Sequence, residues 1–345
     1  MTGSRVLLAY NLPVTLPSRG LYEILVTEAL EEQLRAVERR LVVQRSGLRS
    51  AEAADRIALH VSRLLKRALD GLPDDQRVAA GLALARRILD EIGSQVDSSA
   101  ISGEAPVDRE TVLRAITERR PDGVAAPIAQ PLIPLLDTAL LTNSPGEPVV
   151  GSQLRAEIDS ADRIDVVMAF IRRSGIAPLL GALRDHAEAG RPIRFLTTTY
   201  TGTTEARALD ELAGAGAEVR LSYDTSSTRL HAKAWLFHRA SGFSTAYIGS
   251  SNLTHSAQVT GLEWNVRVSG ARNPAVVEKV AAVFESYWSG CSNRSHSLAS
   301  AGTTGTSSPP RLAPGRRSWL PSTMPAWRLP CPGRAFSSSH TGRRS

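Results

Sequence analysis

Residues 229–265, RLHAKAWLFHRASGFSTAYIGSSNLTHSAQVTGLEWN, set the expected fold and site. The apolar run Leu230–Phe237 predicts a buried strand. Side chains alternate between the two faces of a strand, so His231 and Lys233 share one face of it. The pair is unusual for a core strand, because lysine is almost never buried without a partner.

A second short strand is predicted at Thr245–Ile248, and Gly249-Ser250-Ser251-Asn252 follows it directly. Two adjacent strands would bring an imidazole, an ammonium, a hydroxyl and an amide to one place. Such a set suits phosphodiester chemistry, since imidazole can attack phosphorus and form a covalent intermediate. The ammonium and the amide can hold the non-bridging oxygens as negative charge shifts in the transition state.

The stretch resembles the phospholipase D superfamily motif, His-x-Lys-(x)4-Asp followed by Gly-Ser-x-Asn. Five positions match: His231, Lys233, Gly249, Ser250 and Asn252. His238 occupies the Asp position, and the spacer before Gly249 is four residues longer than usual. The resemblance implies an α/β/α sandwich, with His231, Lys233, Asn252 and Glu263 as catalytic residues and Lys233, Ser250 and Asn252 as phosphate-binding residues. It implies that Glu263 orients His231, and that neither metal nor cofactor is needed.

A closer similarity, over residues 140–288, is to the PLD-like domain that precedes the motor of bacterial DEAD/DEAH-box helicases. It is carried by the segments HAKAWLFHR, GFSTAYIGSSNLTHSA and GLEWNVR. The chain has no G-x-x-x-x-G-K-[ST] loop, so we expect a truncated or frame-shifted relative, with a lost helicase domain or a helicase partner. The superfamily mechanism uses two histidines, whereas this chain has one His-x-Lys. A homodimer that completes the active site is therefore expected.

Three functions fit these residues. The first is a metal-independent nuclease that acts on DNA in repair or defence. The second is a catalytically inactive module that binds nucleic acid or regulates a helicase, and the third is a lipid phosphodiesterase. The non-functional alternative is a core strand in which the ring of His231 is buried with its hydrogen bonds made. The lipid reading is the weakest, since the sequence shows no signal peptide, membrane span or amphipathic anchor.

The net charge of +7 comes from the end of the chain. Residues 289–345 hold eight Arg and no Asp, Glu or Lys, which leaves 33 basic against 34 acidic residues elsewhere. The high pI is therefore weak evidence for nucleic-acid binding. Both cysteines, Cys291 and Cys331, also lie there, which argues against a disulfide framework. We expect a cytoplasmic protein without a membrane partner.

Four parts of the chain are predicted: an α-helical region (1–120), a linker (121–150), a PLD-like phosphodiesterase domain (151–288) and a disordered tail (289–345). The helical region has apolar residues at helical spacing, and we expect helices at Leu21–Val43, Ala51–Leu72, Asp75–Ile92 and Asp108–Arg119. The third part alternates strands and helices, which predicts βαβ units and a largely parallel sheet.

Two loops are further candidates to line the site. The hydroxyls of residues 197–204 follow a strand end, where α/β sheets usually bind ligands, although a solvated turn fits equally well. Asp224–Arg229 leads into His231, and Arg229 either helps to neutralise a phosphodiester or is an ordinary charge at a strand edge. His255 is expected on the surface, because the motif does not use it.

Overall fold

The computed structural model describes residues 17–96, 101, 103–107, 111–117, 119–124, 130–144, 149–199, 202–223, 229–259, 261 and 263–293. The chain divides into two compact units at Ala126 and Pro127. Most of the predicted tail, residues 294–345, lies outside the described residues, as do Cys331 and residues 224–228. The four domain boundaries drawn from the sequence stay a prediction.

The N-terminal unit is helical, as its apolar spacing predicts. It contains α1 (Glu28–Val37), α2 (Ser50–Asp70) and α3 (Asp74–Gln95). The first helix is shorter than predicted because Thr27 caps it, its hydroxyl accepting from the amide of Leu30 at 3.2 Å. The fourth predicted helix is wrong over residues 111–117, which are not helical.

One eight-stranded sheet forms the frame of the second unit, in the order β1-β7-β6-β5-β2-β3-β4-β8. The strands are β1 (Ala139–Leu141), β2 (Arg163–Met168), β3 (Ile193–Thr198), β4 (Glu218–Ser222), β5 (Lys233–His238), β6 (Thr245–Gly249), β7 (Asn265–Ser269) and β8 (Ser292–Asn293). The first strand lies in the predicted linker and the last in the predicted tail. Strand β5 starts later than predicted, so His231 precedes it.

The expectation of a largely parallel sheet is wrong. Only the β2–β3 and β3–β4 pairs are parallel, and every other pair is antiparallel. Parallel neighbours need a helical crossover, which the segments after β2 and β3 supply. Strands β5 and β6 are joined instead by a short turn that contains Gly242 at φ 86°, and such a turn fixes an antiparallel hairpin.

Helices cover both faces of the sheet and make an α/β/α sandwich, which confirms the predicted fold class. The helices are α4 (Val150–Ser160), α5 (Arg173–Ile176), α6 (Leu180–Glu188), α7 (Ala206–Gly214), α8 (His255–Val259) and α9 (Pro274–Ser289). The larger core joins α4, α6 and α7 to one face, where Phe195, Trp235 and Phe237 are buried. Helix α9 covers part of the opposite face through Val277, Phe284 and Trp288.

A buried ion cluster ties α4 to the antiparallel strands. Glu157, fully buried, accepts from Arg239 at 2.6 Å and from Arg267 at 2.8 Å. Thr245 and Tyr247 donate their hydroxyls to the same carboxylate. Burial acts to raise the pKa of Glu157, but the two guanidinium groups outweigh it and hold the pKa below its ordinary value. The cluster holds β7 through Arg267, which lies two residues after Asn265.

His238, which stands where the superfamily motif has Asp, makes a hydrogen bond with an acid on the adjacent strand. Its Nε2 lies 2.7 Å from the carboxylate of Asp165 on the adjacent strand β2. Arg194 donates two hydrogen bonds to the same carboxylate, at 2.6 and 2.8 Å, and also reaches Glu285 on α9. The acid at this end of β5 is therefore supplied by the neighbouring strand.

Candidate active site

One edge of the sheet gathers the residues of the motif. Strand β5 begins at this edge, β6 ends there and β7 begins there, because Ala234 pairs with Ile248 and Gly249 pairs with Asn265. Strand β2 ends at the same edge, with Met168 opposite Lys233. The segments before β5, after β6 and before β7 therefore meet there, although long stretches of sequence separate them.

His231 and Lys233 lie side by side at the start of β5. The imidazole is exposed and the lysine is half-buried. Lys233 Nζ donates to the backbone carbonyl of His231 at 2.8 Å and lies 3.2 and 3.3 Å from the two ring nitrogens. One ammonium cannot align with the lone pairs of both nitrogens, so the contact sets the amine beside the ring without selecting a tautomer. Burial lowers the pKa of Lys233, and the carboxylate of Glu263 opposes that shift.

Asn252 presents its amide N–H group to the site. Its Oδ1 accepts from the backbone N–H of Phe170 at 3.2 Å. A backbone N–H only donates, so the oxygen must face Phe170 and the NH₂ group must point the other way. The ring of Phe170 meets His231 edge-on with centroids 6.0 Å apart. Phe170, two residues beyond β2, thus contacts both the His-x-Lys segment and the Gly-Ser-x-Asn segment. No sequence signal marks it for this role.

Ser250 and Glu263 are joined in the loops that follow β6 and precede β7. The hydroxyl of Ser250 donates to the carboxylate of Glu263 and accepts from the backbone N–H of Trp264 at 3.1 Å. The amide of Ser250 donates to the carbonyl of Trp264 at 3.0 Å. The acid predicted to orient His231 is therefore bonded to the serine and acts electrostatically on Lys233. Its orienting role stays a prediction.

Gly249 is required where the two loops approach each other. A Cβ at this position would lie 2.2 Å from the carbonyl oxygen of Trp264 and 2.4 Å from Oδ1 of Asn265. The Nδ2 of Asn265 donates to the buried hydroxyl of Ser251 at 2.7 Å. The first residue of the Gly-Ser-x-Asn motif is thus a packing requirement that brings Ser250 and Asn252 to the sheet edge.

Space at the site is open, with little enclosed volume. A cavity of about 20 Å³ lies beneath it, lined by Lys233 and Asn252 together with core residues such as Met168 and Trp235. That volume holds roughly one water molecule, so the cavity cannot enclose a phosphate group.

The other residues that the sequence offers for the site, the hydroxyls of residues 197–204 and His255, make no hydrogen bond to the motif residues in the part of the chain that the structure describes. Thr197, Thr198 and Thr204 donate their hydroxyls to backbone carbonyls, which favours a structural role for this loop. His255 is exposed at the start of α8, as expected. The described residues contain no group of three or more His, Cys, Asp or Glu that could hold a metal ion. Among those residues, no helix is both long and apolar enough to cross a bilayer.

Residues 154–288 match the family model described as "Cardiolipin synthase, PLD-like domain". No curated protein matches the chain. Among solved structures, the phospholipase D family member Nuc from Salmonella typhimurium is similar at 19% identity and a TM-score of 0.37, over 46% of this chain and 98% of that chain. NucT from Helicobacter pylori is similar at 13% identity and a TM-score of 0.36, over the same shares.

The yeast tyrosyl-DNA phosphodiesterase is similar at 15% identity and a TM-score of 0.27, over 38% of this chain and 31% of that chain. All three TM-scores are below 0.5, so these structures do not indicate a substrate. The family match and the sheet-edge arrangement of His231, Lys233, Ser250 and Asn252 agree with each other. Residues 154–288 form a PLD-like domain with the fold of the phospholipase D superfamily.

Proposed function

We propose that the domain is a metal-independent phosphodiesterase, and specifically a nuclease that acts on DNA through a phosphohistidine intermediate. The observation that carries the proposal is the exposed imidazole of His231 with the Lys233 amine 3.2 Å away, at the edge that also presents the Asn252 amide. These groups supply a nucleophile and two donors for the non-bridging oxygens.

Two copies of the chain complete the reaction. His231 of one copy attacks phosphorus and forms an N–P bond while the P–O bond to the leaving group breaks. His231 of the second copy gives its proton to the leaving oxygen and then takes one from water, which attacks phosphorus and breaks the N–P bond. The original imidazole is regenerated with one phosphodiester hydrolysed. Lys233 and Asn252 hold the phosphoryl oxygens throughout, Ser250 assists them, and Glu263 contributes negative charge near the lysine.

The alternative is a non-catalytic module that binds nucleic acid or regulates a helicase. The link between Glu263 and Ser250 favours the regulatory form of this alternative, because a carboxylate beside the serine repels the phosphate of a nucleic acid. The cytoplasmic location stays a prediction from the sequence, and the link to helicase-type repair or defence is a proposal supported by the sequence resemblance alone. An intact helicase reading frame downstream of the coding sequence would support that link.

Purified protein assayed in EDTA tests the proposal. We expect cleavage of single-stranded DNA or of bis(p-nitrophenyl) phosphate, and loss of that activity in His231→Ala with an unchanged circular dichroism spectrum. The exposed His255→Ala serves as the matched control and keeps full activity. DNA binding without turnover would favour the alternative, and undiminished turnover in His231→Ala would refute the assignment.

A further inference from the structure

Two side chains outside the motif stand at the site edge of the sheet, one on each side of the motif residues. Trp264 precedes β7 and is 69% exposed, a large exposure for a residue type that is usually well buried. Arg172 follows β2 and is also exposed. The strand order places β6 and β5 between β7 and β2, so His231, Lys233 and the Ser250–Asn252 segment lie between these two side chains.

The backbone places Arg172 on the same side of its segment as the ring that contacts the candidate nucleophile. The amide of Arg172 donates to the carbonyl of Leu253 at 3.0 Å, and its φ of −117° and ψ of 150° are those of an extended chain. Side chains alternate along an extended chain, so Arg172 shares a side with Phe170, whose ring meets His231. Ile171, between them, points the other way and is fully buried.

The guanidinium of Arg172 is available to a ligand. No ion pair or side-chain hydrogen bond holds it within the part of the chain that the structure describes, whereas the neighbouring Arg173 is held by Glu211 at 2.7 Å. Lys233 and Asn252 already offer two donors for the oxygens of one phosphate, so a further cation beside them suits another phosphate of the same polymer. A guanidinium fits that role because its N–H groups form paired hydrogen bonds with two phosphate oxygens.

Trp264 offers an aromatic face on the side where a phosphate would be repelled. Gly249 pairs with Asn265, so Trp264 lies opposite Ser250, and its amide donates to the Ser250 hydroxyl at 3.1 Å. Glu263 directly precedes Trp264, and its negative charge disfavours a phosphate there. A nucleobase is uncharged and stacks on an exposed indole whatever the sequence. Because the bases of a duplex stack on each other, only an unpaired base leaves a face free for Trp264.

We propose that the site takes single-stranded nucleic acid rather than an isolated phosphodiester, and that Trp264 and Arg172 are its flanking subsites. Trp264 stacks on an unpaired base on one side of the scissile phosphate, and Arg172 binds a neighbouring phosphate on the other side. Two strand spacings, about 10 Å, separate β7 from β5, which is the scale of a neighbouring nucleotide. The inference rests on the proposed function in one respect, because it takes the motif residues as the place where the scissile phosphate binds.

The test is the affinity of the full chain for fluorescein-labelled oligothymidylate, by fluorescence anisotropy in EDTA over a series of salt concentrations. Every variant is built on His231→Ala, the parent, so that the strand is not cut. Trp264→Ala should weaken binding at least about 5-fold with unchanged salt dependence, and Trp264→Phe should recover most of the loss. Arg172→Gln should lower the slope of log Kd against log salt concentration by about 0.7, the value for one phosphate contact on a single strand.

The matched controls lie at the opposite edge of the sheet. Phe243 is 38% exposed in the turn between β5 and β6, and Arg272 is exposed between β7 and α9. Phe243→Ala and Arg272→Ala should bind the strand as the parent does. The Arg-rich residues 289–345 contribute equally to every variant and cancel in these comparisons. Trp264→Leu, which is apolar but has no π-face, replaces Trp264→Ala if that variant does not fold by circular dichroism.

Two further ligands separate stacking from a structural role of Trp264. An abasic strand of the same length and a DNA duplex offer no free base, so the parent and Trp264→Ala should bind each of them equally. A Trp264→Ala defect that persists on the abasic strand overturns the proposal, and so does an affinity for oligothymidylate that neither Trp264→Ala nor Arg172→Gln changes.

The proposed function fails separately from the subsites. Base-dependent binding through Trp264, in a protein whose wild type shows no phosphodiesterase turnover, supports the subsites and rejects the enzyme. Turnover that depends on His231, in a protein whose affinity for the strand ignores Trp264 and Arg172, keeps the enzyme and rejects the subsites.

Discussion

The side chain of Asn252 has an acceptor and a donor with different expected roles, and two substitutions separate the effects of losing each one. Its Oδ1 accepts from the backbone N–H of Phe170, and its NH₂ group is the donor that we propose for a bound phosphate. Asn252→Asp keeps the acceptor and removes the donor. Asn252→Ala removes both, and leaves the Phe170 amide without its partner.

The magnitudes follow from these contacts. Removal of one donor to a developing anion costs about 10²–10³-fold in kcat, and the new carboxylate adds repulsion, so Asn252→Asp should lose at least that much activity. Its stability should equal or exceed that of the wild type, because a carboxylate accepts the Phe170 hydrogen bond and lies near Lys233. Asn252→Ala should lose about 1 kcal/mol of stability, the typical cost of a partly buried orphan donor, in addition to its activity.

The assay is hydrolysis of bis(p-nitrophenyl) phosphate in EDTA, paired with urea denaturation of each variant. Asn252→Asp with near wild-type kcat would refute the role of the amide as a phosphate donor. If Asn252→Asp were as destabilised as Asn252→Ala, the orientation of the Asn252 amide would be wrong, since the acceptor would not be supporting Phe170.

Three further outcomes follow from the fold. Glu157→Gln should lower the free energy of unfolding by about 3–5 kcal/mol, because it leaves Arg239 and Arg267 buried without their counter-charge, whereas Glu218→Gln, in the exposed pair with Arg220, should leave the urea midpoint nearly unchanged. Burial lowers the pKa of His186 to about 4, below its ordinary 6.5. The folded state therefore resists protonation of this ring, so the protein has its full stability above pH 6.5 and loses stability as the pH drops from 6.5 towards 4. The loss at pH 5 is on the order of 2 kcal/mol, and denaturation curves of His186→Gln should lack it. Gly249→Ala should lose roughly 1–3 kcal/mol of stability together with activity, as melting and rate measurements would show, and a fully active, stable variant would contradict the close packing at Trp264.

Local patterns in the sequence account for most of the fold. The sequence predicts a strand at Ile193–Thr198, because a short apolar run between a Pro-containing turn and a hydroxyl-rich loop fixes both ends, and β3 has these bounds. The sequence also predicts one helix at Gly175–Ala189, but the structure divides it into α5 and α6, since Pro178 cannot continue the first one. The candidate site residues His231, Lys233, Ser250 and Asn252 can be predicted because their spacing follows a known motif.

Other features depend on contacts between residues far apart in sequence, which local patterns do not encode. Strand β1 has three residues and exists through its pairing with β7. Arg267 would be placed facing solvent on sequence grounds, but it is fully buried because Glu157 lies opposite it, 110 positions away. The contacts of Phe170 and the pairing of His238 with Asp165 cannot be predicted from the sequence for the same reason.

The most direct test of the central claim is the intact mass of the protein after reaction with a phosphodiester and a rapid alkaline quench, which preserves phosphoramidate bonds. We predict a covalent adduct with the mass of the transferred phosphoryl group, mapped to His231 and absent from His231→Ala. Steady turnover by the wild type in EDTA with no adduct at His231, or with the same adduct in His231→Ala, would contradict nucleophilic attack by this imidazole.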